Sequence, residues 1–302
     1  MPPATLTEGN DGKAAIESTK NAPAPSPENR WGFWISGAGD FVNVSGDGNG
    51  PGYDFTTGGI TLGLDYRVTE NITVGIAAGY AHTGTNSTGG GWLDTNSGRG
   101  GIYSTFFGRG FYLHGFVGGG FNGYDTKRVT LGGTASGSTN RGEFNALVSG
   151  GYEVLYGPLT FGPVASLGYT YVDFAGFSFS EHGSIVPLQI VSKGESSLRT
   201  NPGVSLSYAL KAGTVILTPI LQATWQHEYL YGALPVKAQF ASGAGGVFTV
   251  YGPALGHDSA LVNAGLNVQL NPAVEVYFGY NGQVGRGDYD SHGGSCSVHI
   301  DF

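Results

Sequence analysis

Along most of the chain, apolar side chains fall at every second position. Ile60, Leu62, Leu64 and Tyr66 alternate with Gly59, Thr61, Gly63 and Asp65, and Ile72, Val74, Ile76, Ala78 and Tyr80 alternate with Thr73, Gly75, Ala77 and Gly79. A period of two marks a strand with one greasy face and one wet face. The chain ends in the same way: Cys296, Val298, Ile300 and Phe302 are interleaved with Ser295, Ser297, His299 and Asp301. From Trp31 onward the pattern predicts twelve strands: Trp31 to Val44, the two just described, Ser97 to Phe107, Phe111 to Tyr124, Arg141 to Tyr156, Leu159 to Phe174, Ser196 to Lys211, Thr214 to His227, Asp258 to Leu270, Ala273 to Val284 and Tyr289 to Phe302. Residues 1–30 read differently. Lys13 to Lys20 predicts a short helix and Ala22 to Pro27 a proline-punctuated linker, so the chain divides into a linker, 1–30, and a barrel, 31–302.

The two rows of each strand have unequal chemistry. Val262, Ala264, Leu266, Val268 and Leu270 alternate with Asn263, Gly265, Asn267 and Gln269, and Val204, Leu206, Tyr208 and Leu210 with Ser205, Ser207 and Lys211. A soluble barrel fills its centre with large apolar side chains. Here the polar or tiny row is expected to line a wet interior, and the apolar row to face lipid. Connection lengths support this. Short links at Arg67 to Asn71, Gly108 to Gly110, Gly157 to Pro158, Ala212 to Gly213 and Asn271 to Pro272 alternate with expected loops at Ser45 to Gly52, Thr83 to Asn96, Asp125 to Asn140, Ala175 to Glu195 and Glu228 to His257. Outer-membrane barrels show that asymmetry between their two rims. Aromatics near strand ends (Trp31, Trp34, Tyr80, Tyr112, Tyr156, Tyr171, Trp225, Tyr229, Tyr280) are expected to form girdles at the membrane interfaces.

Composition narrows the picture. Charged residues make up only 12% of the chain, against about 25% in soluble domains. The 55 glycines accompany 17 Tyr and 17 Phe, a pairing that fits a curved sheet in which rings cover bare backbone. A net charge of −8 without a Lys/Arg cluster excludes nucleic acid as a partner. The single cysteine, Cys296, sits on an apolar row and reads as a small hydrophobe. No apolar run reaches the roughly 18 residues of a transmembrane helix. The start lacks the basic and apolar regions of a secretory signal, which leads to the expectation that the chain is the carboxy-terminal part of a longer precursor.

Taken in order, these marks resemble the autotransporter β-domain, the translocator of type V secretion. They are the opening Trp34-x-x-Gly37-x-Gly39, the hairpin residues Gly58, Gly59, Leu62, Gly63 and Asp65, the stretch Phe248-x-Val250-x-Gly252 followed by Asp258, and the terminal Val298, Ile300 and Phe302. The resemblance implies an all-β fold, a 12-stranded antiparallel transmembrane barrel with a short amino-terminal helix in its lumen. It implies a Gram-negative outer membrane, the barrel-assembly machinery and an amino-terminal passenger as partners, no cofactor, and a monomer. Val298, Ile300 and Phe302 resemble the membrane-insertion signal of such barrels. Family members that cut themselves in the pore share an Asn-Asn pair; here Asn21 precedes Ala22, so self-cleavage has no support.

Other chemistry is weakly represented. Gly118 to Gly123 fits G-x-G-x-x-G, but a loop rather than a helix is expected after it. His257 and Asp258 suggest a hydrolytic site on the outer rim, yet no G-x-S-x-G elbow or metal-ligand spacing accompanies them. Arg141, Glu143, Glu153 and Arg199 fall on inward rows and are candidates for a lumenal charge ring that shapes ion passage. The alternative to a translocator is a stand-alone porin or adhesin, with Glu228 to His257 folded inward or holding a partner.

Overall fold

The computed structural model describes residues 30–302 apart from 131, 173–176, 193, 231–234 and 243–245. The helix expected at Lys13 to Lys20 and the proline-rich linker lie outside the described residues. Twelve antiparallel strands close into a barrel: β1 Trp31–Val44, β2 Tyr53–Thr69, β3 Ile72–Ser87, β4 Gly91–Gly108, β5 Phe111–Thr130, β6 Gly133–Tyr152, β7 Leu159–Val172, β8 in three pieces (Glu195–Thr200, Gly203–Tyr208 and Leu210–Ala212), β9 Val215–Glu228, β10 Asp258–Asn271, β11 Val274–Arg286 and β12 Tyr289–Asp301. The first break in β8 has a local cause. Pro202 has no N–H to donate, and the ladder continues around it through Asn201, which exchanges backbone bonds with Ser166, and through the Pro202 carbonyl, which accepts from Trp225 N–H at 2.9 Å.

Closure removes the free edge that a bilayer cannot tolerate. β1 pairs with β12 from Gly32↔Asp301 to Val44↔Tyr289, and Trp31 and Phe302 exchange backbone bonds of 3.1 and 2.8 Å at the end of this seam. An even strand number puts both ends of the wall on one rim, the rim of the tight turns. At Arg109–Gly110 both turn residues have positive φ, 53° and 83°, the two-residue geometry that matches strand twist. By its short turns, this rim corresponds to the periplasmic rim of outer-membrane barrels.

The rows face as the alternation predicts. Ile60, Leu62, Ile76, Ile102, Val117 and Val148 are exposed on the outer wall, and Ser36, Thr61, Thr95, Asn122, Glu143 and Asn267 are buried on the inner one. Phe111 and Phe121, both exposed on β5, are ten residues apart. At about 3.3 Å per residue and a tilt near 40°, that is roughly 25 Å along the membrane normal, the height of the apolar band in such barrels. Trp31, Tyr80, Tyr156, Trp225, Tyr229 and Tyr280 are exposed, as girdle residues must be. Trp34 and Tyr112 are not. They are buried, 3% and 8% exposed, and point into the bore, where Trp34 lies against Gly63 and Tyr112 against Gly151. Phe116 lies over Gly101 and Tyr277 over Gly265 in the same manner. The inner row is therefore mixed. Large rings are admitted where a neighbouring glycine lets them lie flat along the wall.

Two expected loops are largely strand. β3 runs to Ser87 and β4 begins at Gly91, while β5 and β6 extend to Thr130 and from Gly133, so these hairpins continue the ladder beyond the expected strand ends. Gly118 to Gly123 lies within β5 and offers no helix terminus to a phosphate. The longer connections after β7 and β9 build a second sheet on the outer rim, in the order Phe248–Tyr251, Pro235–Phe240, Leu188–Ser192, Phe177–Ser180. Arg128 fastens it to the β5–β6 hairpin through two bonds to the Glu181 carboxylate, 3.2 and 2.6 Å.

Candidate functional site: the bore and its outer mouth

In a closed wall with an oily exterior, polar groups can act on a solute only from inside. Near the periplasmic rim, Trp34 Nε1 donates to the Tyr103 hydroxyl at 2.7 Å, and that hydroxyl donates to Asp65 at 2.8 Å. Asn267 Nδ2 donates to Glu275 Oε1 at 2.6 Å. Nearer the outer side, Glu143 gathers three partners: Arg99 Nε at 2.7 Å, Asn122 Nδ2 at 2.7 Å and Asn145 Nδ2 at 3.1 Å. At the mouth, Glu228 is 1% exposed and accepts from the Ser197 hydroxyl, Leu198 N–H at 3.0 Å, Arg199 Nε at 2.8 Å and Leu230 N–H at 3.1 Å. Such charge-assisted bonds are about twice as strong as neutral ones.

The expected charge candidates are placed as follows. Arg141 and Glu143 are buried neighbours on the inner row of β6, with Arg141 Nη1 donating to the Asn140 carbonyl at 2.9 Å. Arg199 belongs to the Glu228 hub at the mouth. Glu153 stands apart from them at the periplasmic end, where its N–H donates to the Gly110 carbonyl at 2.7 Å. Val298, Ile300 and Phe302 follow the outward row, Ile300 and Phe302 exposed and Val298 half-buried. Sequence reasoning missed Arg99, Asn122 and Glu228, because their partners come from strands or loops distant in the chain. His257 and Asp258 do not pair: Asp258 Oδ1 meets His227 Nδ1 at 2.7 Å, and His257 Nδ1 meets the Glu228 carbonyl at 2.7 Å.

A strap closes part of the mouth. Leu255, from the connection between β9 and β10, is buried with Val42, Val44, Tyr53, Phe55 and Tyr289 in an apolar seat on the inner wall beside the β1–β12 seam. Polar bonds hold the strap on either side. Asp47 Oδ2 accepts the Ala254 N–H at 2.9 Å, and Arg286 Nε donates to the Gly256 carbonyl at 2.7 Å. Asp47, in the β1–β2 loop, also accepts from Asn49 and Gly50. These backbone donors, Ala254 first, hold its carboxyl at about 2, below the ordinary 3.8.

Comparison with known proteins adds the lineage. The family model described as "Autotransporter beta-domain" matches residues 33–281. Two proteins called "Extracellular serine protease" from Serratia marcescens are each 26% identical over 268 residues, which is 86% of this chain and 25% of the relative. The chain thus spans about a quarter of their length. Among solved structures, the translocator domain of autotransporter NalP from Neisseria meningitidis shares the fold with a TM-score of 0.73 at 17% identity, covering 97% of this chain and 94% of that one. The transport unit of AIDA-I from Escherichia coli gives 0.68 at 16%, covering 97% and 99%, and the β-domain of the Bordetella autotransporter BrkA 0.69 at 16%, covering 90% and 100%.

Proposed function

The chain belongs to the autotransporter β-domain family, and from that premise we propose that its bore carries an amino-terminal passenger through the outer membrane of a Gram-negative cell and afterwards holds residues 1–30 as a linker. The carrying observation is topological. Arg30 stands at the periplasmic rim, where its carbonyl accepts from Arg67 N–H at 2.7 Å, so a segment upstream of it reaches the cell surface only by passing through the barrel. The polar inner row provides the water-like path that a peptide backbone needs, and the closed ladder keeps lipid out. The translocator works without chemistry of its own: it binds, orients and encloses.

The same reading assigns Val298, Ile300 and Phe302 to recognition by the barrel-assembly machinery, and makes the working unit a monomer embedded in lipid. Arg141, Glu143 and Arg199 polarise the outer half of the bore. The test is a reporter fused ahead of Met1 behind a signal peptide in a Gram-negative host. Antibody labelling of the reporter on intact cells is expected. A correctly inserted barrel whose reporter stays in the periplasm would overturn the proposal and favour the porin reading, which the inward strap at Leu255 also suits.

A further inference from the structure

We infer that the periplasmic half of the bore contains a binding seat for ammonium groups, built by Asp65, Glu275 and Asp301 around Gly32. The inference rests on the reading of the bore as a wet passage and adds a ligand to it. In the ladder, Gly32 lies between Asp301 on β12 and Asp65 on β2. Because Gly32 has no side chain, its neighbours lean over it: a Cβ there would meet the Asp65 carboxyl, and His299 Nε2 at 2.8 Å. Glu275 is directly across from His299, so three carboxylates share one imidazole, and all three act on it electrostatically. Arg67, at the rim, is the other cation that acts on Asp301. By formal count, three carboxylates face one imidazole and one guanidinium.

A second observation points to a ligand. Glu275 Oε2, Asn267 Oδ1, Ser36 Oγ and Ser297 Oγ have no hydrogen-bond partner within the protein, although the four residues are 4%, 2%, 0% and 2% exposed. They form one inward patch, since Ser297 is opposite both Ser36 and Tyr277, and Asn267 is opposite Tyr277. Buried polar atoms are seldom left without a partner from protein, water or ligand. Glu275 Oε2 and Asn267 Oδ1 can accept, and each of the two serine hydroxyls can accept as well as donate, so the patch suits a donor-rich cation. A metal ion does not fit: among the described residues no three His, Cys, Asp or Glu converge as ligands. A chain of spaced ammonium groups does fit, because each –NH3+ offers three donors and successive groups reach carboxylates on different strands. The same chemistry is carried by a free linear polyamine and by a lysine of the upstream segment, Lys13 or Lys20.

Spermidine binding to the full chain, refolded in detergent, tests the seat by calorimetry. Binding is expected to weaken at least about tenfold in the double variant Asp65→Asn/Glu275→Gln, by loss of two charge-assisted contacts. If the wild type does not bind but Lys13→Gln/Lys20→Gln does, the seat stands and its resident is the chain's own lysine. Equal binding by the wild type and Asp65→Asn/Glu275→Gln, or no binding by either the wild type or the lysine variant, would overturn it. Heat-modifiable migration in SDS gels confirms that each variant is folded. Surface labelling of the fused reporter in Asp65→Asn/Glu275→Gln separates the two readings: loss of spermidine with normal display removes the seat's ligand and leaves the translocator intact.

Discussion

Replacing Leu255 with alanine asks whether the strap is held by its apolar seat. The side chain is 4% exposed and packed among five buried apolar residues of β1, β2 and β12. Truncating a leucine so buried costs about 2–5 kcal/mol. Leu255 belongs to no strand of the barrel ladder, so the loss falls on local opening of the strap and leaves the twelve-stranded wall intact. Taking about 3 kcal/mol, and 1.36 kcal/mol per decade, the open fraction rises roughly 100- to 200-fold. Ala254, whose N–H is bonded to Asp47, reports this opening directly. Hydrogen exchange at Ala254 should accelerate by about that factor in Leu255→Ala, while amides of the β1–β12 seam keep their rates. Exchange at Ala254 that stays within about threefold of the wild type would refute the reasoning. Acceleration spread equally over the seam would show that strap and wall open as one unit.

Asp47 gives the strap a pH dependence. Its folded pKa lies below the unfolded value, so the stabilisation is fully present above about 3.8 and is lost as pH falls toward about 2; protection of Ala254, corrected for intrinsic rate, should hold down to pH 4 and then fall, and an unchanged ratio at pH 2.5 counts against the clamp. Glu143→Ala strands the Arg99 guanidinium and two asparagine donors and should cost about 3 kcal/mol, read as a lower midpoint of heat-modifiable migration; an unaltered midpoint would mean that water replaces the carboxylate at no cost. Changing Val298 and Ile300 together to Asp places two charges on the lipid-facing row, and the protein is expected in the periplasm or degraded. Normal outer-membrane yield would detach the terminal row from insertion.

Most of the wall was readable because a barrel in lipid obeys a local rule. Each strand must present apolar residues on every second position whatever its partners are, so Leu62 and Val262 announce their face without reference to anything distant. The strap and the polar hubs follow no such rule. Leu255 is one leucine in a glycine-rich connection, and nothing near it in sequence says that Val44 and Tyr289 wait on the inner wall. Glu228 ends an ordinary strand, and its four donors come from β8 and from the turn that follows it. Trp34 and Tyr112 misled for a related reason. Their position near strand ends suggested an interface, but parity put them on the inner row, and glycine at 63 and 151 made room for the rings. Parity was the stronger signal.

Strand number, more than any side chain, directs what the barrel can do. With twelve strands, β1 and β12 begin and end at the same rim, so the chain enters the wall, at Arg30, from the rim of the tight turns. A tail on that side could remain there, and nothing in a closed wall would draw it through. What distinguishes a passage from a mere anchor is an interior that competes with water for a moving backbone without binding it permanently. Buried hubs such as Glu143 and Glu228 meet that demand by being satisfied within the wall, which leaves them little capacity to trap a passing amide. The seat around Gly32 differs in placing a carboxylate oxygen without a protein partner, Glu275 Oε2, near the entrance. If the proposed path runs inward from Arg30, a site of that kind ties its start to the charge of whatever segment comes to rest in it.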